Sequence, residues 1–321
     1  MLVSDTAEKI KKMEIRGAGR IARAAVAALM DHAASAGACG IPSFRNDMRE
    51  AAALLQSTRP TAVSLPNAIH KVMRSLEENL PTVPEMREHF IEACRDFITS
   101  SETAVERIGT IGARHIQDGD TILTHCNSEA ALACLIAAHR KGISFEVYAT
   151  EVRPGNQGLL TLETLNEACI PTVYIVDSAV RCIMREIDMV IVGADAVTVN
   201  GAVVNKIGTS QIALAAHERK ANMVVAAETY KFAPRTVLGE FIQIEEREPE
   251  EVLAAEIAGK LPFVRVRNPV FDVTPPEYID LIITEEGAIP PQMAYIILRD
   301  LLGWGIGDFV RNGPGETEGF P

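Results

Sequence analysis

Apolar residues recur at two different spacings along this chain, and the change falls near residue 118. From residue 5 to about 115 they follow a helical period. Ile21, Ala25, Ala28 and Leu29 form one stripe, Met48, Ala52, Leu54 and Leu55 another, and the stretch from His89 to Ile98 a third. Breaks from Gly37 to Pro42, at Arg59-Pro60 and from Pro81 to Pro84 separate the helices. Beyond residue 118, short β-branched runs take over at 121–124, 145–148, 172–176, 189–192, 223–226 and 281–284. Several lack polar alternation, as strands do when both faces of a parallel sheet are covered. Helical segments are predicted between them at 128–141, 157–168, 178–186 and 208–220. The expected fold is α/β, an all-helical N-terminal domain over 1–117 followed by a doubly wound parallel sheet over 118–311. Residues 312–321 hold five Gly or Pro and read as a flexible tail.

Charge narrows the function classes. The 321 residues carry 31 basic and 43 acidic side chains, a formal charge of −12, which argues against bulk nucleic-acid binding. A local basic pocket for a small anion is still compatible with that balance. No stretch approaches the ~18 apolar residues of a membrane-crossing helix. Residues 1–16 are too charged for a secretory leader, so a cytoplasmic protein is expected. Six cysteines at 39, 94, 126, 134, 169 and 182 form no Cys-x-x-Cys and have no His pair beside them. Reduced thiols and no structural zinc are the expectation.

In a doubly wound sheet, ligands bind beyond the carboxyl ends of the strands. That rule selects His125-Cys126-Asn127-Ser128 after the first strand and Glu151 to Gly158 after the second, with Arg153 and Gln157 in it. After the fourth come Gly193-Ala194-Asp195 and then Asn205-Lys206-Ile207-Gly208-Thr209, and after the fifth comes Lys231. Cys126 precedes a helix start, where unpaired amides favour a thiolate; the position equally suits a small buried hydrophobe at a strand end. Asp195 follows an apolar strand and two small residues, so burial would raise its pKa and suit it to acid catalysis; a capping role in the next turn is the alternative. His125 alternates to the other side of an extended strand and is given no catalytic role. Lys206 beside Gly208 and Thr209 at a helix start is an arrangement for phosphate, though not a Walker loop. The stretch Arg16-Gly17-Ala18-Gly19-Arg20-Ile21-Ala22 fits a dinucleotide pattern, but no strand precedes it and that reading is rejected. Arg16, Arg20 and Arg59 can still grip an anion.

Taken in order, Arg16-Gly17-Ala18, the Arg59 segment to Val63, Ile122 to Asn127, Arg153 to Gly158, Gly193 to Asp195, Asn205 to Thr209 and Phe271 to Pro276 form one series. It resembles the superfamily that joins sugar-phosphate aldose–ketose isomerases to the regulatory subunits of translation initiation factor 2B. Within it the sequence is most similar to the archaeal ribose-1,5-bisphosphate isomerases, over roughly residues 10–300. The resemblance implies a Rossmann-like second domain, a homo-oligomer built on dimers and often hexameric, and no metal or nicotinamide cofactor. It implies Cys126 as base and Asp195 as acid. Arg16, Gly17, Ala18, Arg20, Arg59, Arg153, Gln157, Asn205, Lys206 and Lys231 would hold the substrate. It further implies a place in nucleoside monophosphate salvage. The alternatives are a methylthioribose-1-phosphate isomerase and a non-catalytic regulatory subunit. Arg20 stands where methylthioribose-1-phosphate isomerases usually continue Pro-Ala-Ile-Gly, and it suits a second phosphate better.

Overall fold

The computed structural model describes residues 2–15, 17–59, 63–239 and 242–302. Arg16, Pro60 to Ala62 and the tail 312–321 lie outside the described residues. The chain forms two compact units, one covering Met1–Ala104 and resuming at Leu302, the other covering Val105–Leu301.

In the first unit the described elements are helical: α1 (Val3–Lys11), α2 (Ala18–Ser35), α3 (Ile41–Gln56), α4 (Ser64–Met73) and the start of α5 (Val83–Gly112). The stripes explain the packing. Ile21, Ala25, Ala28 and Leu29 are buried along α2, and Phe90, Cys94 and Phe97 along α5. On α3, Met48, Ala52 and Leu55 stand four and three residues apart and share the buried face. Leu54 does not join them. It sits about 100° round the helix from Leu55 and is exposed.

The second unit is built on a seven-stranded sheet. Its chain order is β1 (Thr121–Thr124), α6 (Glu129–Arg140), β2 (Glu146–Thr150), α7 (Gly158–Glu167), β3 (Thr172–Ile175), α8 (Val180–Ile183) and β4 (Met189–Gly193). There follow β5 (Ala196–Val197), β6 (Val203–Lys206), α9 (Thr209–Arg219), β7 (Asn222–Ala226), β8 (Phe271–Thr274), β9 (Leu281–Thr284) and β10 (Gly287–Ile289). The large sheet runs β10-β9-β7-β4-β1-β2-β3, parallel except for β10. Strand β4 is buried throughout, as its unbroken apolar run requires. Edge strand β3 is not, and Tyr174 and the adjoining Val176 are exposed.

The α/β reading and the six runs are therefore found as expected. The helix expected at 178–186 is shorter, with α8 spanning one turn between 3-10 turns at Asp177–Ala179 and Met184–Glu186. A second sheet, β5-β6-β8, is antiparallel and was not foreseen. Its strands hold two to four residues, β5 and β6 flanking the turn at Asn200-Gly201, and are too short to show a period. The two compact units divide inside α5. The cause is packing: Ile108 and Ala113 join Ile122, Cys134, Leu135 and Phe145 in the core under the sheet.

Close approach at that end of α5 depends on Gly112, where an added Cβ would stand 2.8 Å from Cys134 Cβ and 2.2 Å from its Sγ. Overpacking of this kind costs about 1–3 kcal/mol, against about 1 kcal/mol gained in helix propensity. Gly112→Ala is expected to lower the denaturant midpoint with the slope unchanged; a raised midpoint would refute the close contact.

Candidate active site

The strand order places a switch point between β1 and β4: from β1 the chain moves outward through β2 and β3, then returns to β4 and moves the other way. Loops leaving such neighbours part and open a crevice. Cys126 lies two residues beyond β1 and Asp195 two beyond β4. The two loops touch. Ser128 caps α6 by accepting from the Ala131 amide at 3.3 Å, and a Cβ at Gly193 would fall 2.3 Å from Ser128 Oγ. Glycine is what lets the end of β4 approach the start of α6.

Cys126 is held in the left-handed region, with φ 68°, where non-glycine residues are uncommon and cluster at functional sites. Its thiol donates to Gln157 Oε1 at 3.1 Å, and its carbonyl accepts from Thr161 Oγ1 at 3.0 Å. Burial pushes the thiol up to about 11, against the pull of Lys206 and the Asn127 amide; the carboxylates of Asp195 and Asp177 push the same way as burial. The thiolate expected from the helix start is thus corrected. Desolvation outweighs the nearby amide, and the main opposing charge is Lys206. Sulfur, carboxylate and ammonium act on one another, since Cys126 and Asp195 both support the charge on Lys206 while burial and Arg247 lower its pKa. The half-buried Asp195 is fixed through its backbone, its amide donating to the Val204 carbonyl at 2.8 Å.

Lys206 ends β6 with its ammonium 4.9 Å from the centre of the Phe271 ring. The helix start beside it is not open to phosphate as the sequence implied. Asp272 accepts there from the Gly208 amide at 2.8 Å and the Ser210 amide at 3.1 Å. Burial raises Asp272 to about 6, and those amides restrain the rise. Asn205 is buried with Nδ2 donating to Thr209 Oγ1 at 3.0 Å, which in turn donates to the Lys206 carbonyl at 2.7 Å. Lys231, in a 3-10 turn after β7, is buried with Nζ 2.6 Å from Glu228 Oε2. Burial opposes its charge, but Glu228 and, further off, Asp195 prevail and raise its pKa. Breaking such a pair on one side costs about 3–5 kcal/mol.

His125, given no role from the sequence, is a buried tie. Its Nε2 lies 2.9 Å from the Ile207 carbonyl, which can only accept, so Nε2 carries the proton and Nδ1 accepts from Thr150 Oγ1 at 2.6 Å. Burial lowers its pKa and keeps it neutral. Gly208, with φ 107°, leaves room for the ring; a Cβ would sit 3.1 Å from it. Asp177, Arg247 and Asp272 also act on groups of the site, and no sequence motif assigns them a role; Glu228 stands with Lys231 in the segment after β7. The strand-end rule also points to Asp177, two residues beyond β3.

The second unit therefore gathers Cys126, Gln157, Asp195, Lys206 and Lys231, with Asn205 behind Lys206 and Arg153 exposed on the turn after β2. Gly17, Ala18, Arg20 and Arg59 belong to the helical unit. There Gly17, with φ 87°, precedes α2, and Ala18 opens that helix. Arg20 is exposed in its first turn, and Arg59 Nη1 lies 3.1 Å from Met13 Sδ. Helix and turn, not a strand, precede Gly17, consistent with rejecting a dinucleotide loop. Among the described residues no three His, Cys, Asp or Glu side chains form a group able to hold a metal ion, and no helix is long and apolar enough to cross a membrane.

A switch-point thiol and carboxylate with lysines beside them can be set against known proteins. Residues 14–291 match the initiation factor 2 subunit family. The chain belongs to that family. Among curated members, the ribose 1,5-bisphosphate isomerase of Methanocaldococcus jannaschii is 54% identical, over 94% of this chain and 96% of its own length. The protein of the same name from Archaeoglobus fulgidus is 55% identical over 94% of each. The crystal structure of 5-methylthioribose 1-phosphate isomerase from Pyrococcus horikoshii matches at a TM-score of 0.74 and 31% identity, over 94% of this chain and 88% of that one. The resemblance read from the motifs is thereby shown, and with it the two-part fold of this initiation factor 2 subunit family member.

The electrostatic arrangement has a measurable consequence. Alkylation of Cys126, followed on its own peptide by mass spectrometry, is expected to keep rising about tenfold per pH unit toward pH 11. Lys206→Met should slow it at fixed pH, and Asp195→Asn should speed it. A rate level above pH 8 would mean that burial does not hold the proton on the thiol, and effects of opposite sign would mean that these groups do not share a site.

Proposed function

We propose that this protein is an aldose–ketose isomerase acting on a sugar phosphate, converting ribose 1,5-bisphosphate to ribulose 1,5-bisphosphate. The observation that carries the reading is the meeting of Cys126 and Asp195 at the β1–β4 switch point, within the fields of Lys206 and Lys231. The names of relatives at 54–55% identity over nearly the whole chain support the substrate.

The substrate's anomeric phosphate locks the furanose ring, so no free aldehyde exists. Ring opening then needs a proton at the ring oxygen as the C2 proton leaves. In the reactive form the charge of the pair rests on the Cys126 sulfur, facing Lys206, and the shared proton on Asp195. The thiolate removes the C2 proton, a C1–C2 double bond forms, and the C1–ring oxygen bond breaks as Asp195 protonates that oxygen. The enol phosphate so formed takes a proton back at C1 while its C2 hydroxyl loses one, giving the ketose. Because the two groups interact, activity titrates with apparent values that belong to the pair. Lys206, Lys231 and Arg153 supply charge-assisted bonds to phosphate. Gln157 and Asn205 serve the sugar hydroxyls. The active form is a homo-oligomer built on dimers.

A methylthioribose-1-phosphate isomerase would run the same chemistry, and the match to the Pyrococcus horikoshii structure keeps that reading in view. The names of the relatives at 54–55% identity favour the bisphosphate. A side-by-side assay decides. The expected result is turnover of ribose 1,5-bisphosphate and little of methylthioribose 1-phosphate, with Cys126→Ser and Asp195→Asn each lowering kcat by about 10²–10⁴-fold and leaving the fold intact. Near-parental rates in both variants would overturn the mechanism. Binding of initiation factor 2 with no turnover of either sugar would overturn the enzyme reading.

A further inference from the structure

Asp177 takes no part in the chemistry above, yet three strand ends meet at its carboxylate. It follows β3, in the 3-10 turn Asp177–Ala179. Oδ1 accepts from the Val152 amide at 2.9 Å and Oδ2 from the Arg153 amide at 2.8 Å, both beyond β2. Oδ1 also lies 3.9 Å from Nδ1 of His125, beyond β1. The turn so held is an unfavourable one. Val152 has φ 62° and Asn156 φ 50°, and a β-branched residue rarely enters that region unless its surroundings impose it. Gly158 closes the turn so tightly that a Cβ would lie 2.0 Å from the Thr150 carbonyl oxygen. Between these points stands Gln157, whose Oε1 receives the Cys126 thiol.

We propose that Asp177 is a positioning residue for the Cys126–Asp195 site, a carboxylate clamp on residues 151–158 that sets Gln157 against the Cys126 sulfur and fixes where Arg153 leaves the backbone. Only the kinetic arm of its test rests on the isomerase reading. The charges facing the sulfur are Lys206 at the end of β6, Asp195 after β4 and Asp177 after β3, with the Asn127 amide beside them. Of these, Asp177 is the one that also shapes the turn bearing the thiol's hydrogen-bond acceptor.

The test uses the full chain with Asp177→Ala and Asp177→Asn. Removing the negative charge should move the pH profile of Cys126 alkylation to lower pH in both variants, in the absence of any substrate. With ribose 1,5-bisphosphate, kcat per folded molecule should fall about 100-fold in Asp177→Ala and less in Asp177→Asn, which keeps an oxygen for one amide. Should the alanine variant fail to fold, the alkylation profile of Asp177→Asn decides alone. Profiles superimposing on the parent, with kcat per folded molecule unchanged and only the denaturation midpoint lowered, would reduce Asp177 to a structural residue and overturn the proposal. A parent protein that does not turn over ribose 1,5-bisphosphate would refute the isomerase reading instead, and the alkylation profile would still settle the role of Asp177.

Discussion

The site depends on an opposition between burial and a single ammonium. Desolvation holds the proton on Cys126, while Lys206 draws it off. Neither effect alone sets the state of the thiol. A thiol buried without a cation is an inert packing atom, as Cys94 and Cys134 are, both pushed up to about 12 by burial with no charge to oppose it. A thiol in water beside lysine would be a weaker base and open to side reactions. Cys126 lies between those extremes, where a bound anion or a moved proton can change its state.

That balance needs a rigid surround, and the fold supplies it with buried polar ties. Asp272 fills the amides at the start of α9 and so holds the backbone that carries Lys206. His125 joins the same loop to β2 through the Ile207 carbonyl and Thr150. Glu228 keeps Lys231 charged in a place where burial would otherwise discharge it. Each of these groups is satisfied by a partner of opposite charge or a matching donor, which is the condition for burying it at all. The chain's formal charge of −12 is thus no obstacle to anion binding. Lys206 and Lys231 both lie within the field of Asp195, and Lys231 has Glu228 beside it.

Much of this could be read from the chain. Unbroken apolar runs such as Met189 to Val192 mark central parallel strands because both faces are covered, and β4 is buried along its whole length. The strand-end rule then reached Cys126, Gln157, Asp195 and Lys206 across large sequence separations. What escaped it has physical reasons. Strands of two to four residues around Asn200-Gly201 carry no period, so the small sheet that holds Lys206 was invisible. The carboxylate that caps α9 lies more than sixty residues away in Asp272, and no local pattern foretells a long-range cap. The thiol's raised pKa is not legible in the chain, because a helix start is visible in sequence and the depth of burial is not.

The central claim is that sulfur and carboxyl face one sugar ring. A crystal structure of the Asp195→Asn variant with ribose 1,5-bisphosphate bound tests it most directly. The account predicts Cys126 Sγ about 3–3.5 Å from C2, with the side chain at position 195 within hydrogen-bond reach of the ring oxygen. A ring bound with C2 turned from the sulfur, or with its oxygen on the far side from position 195, would contradict it.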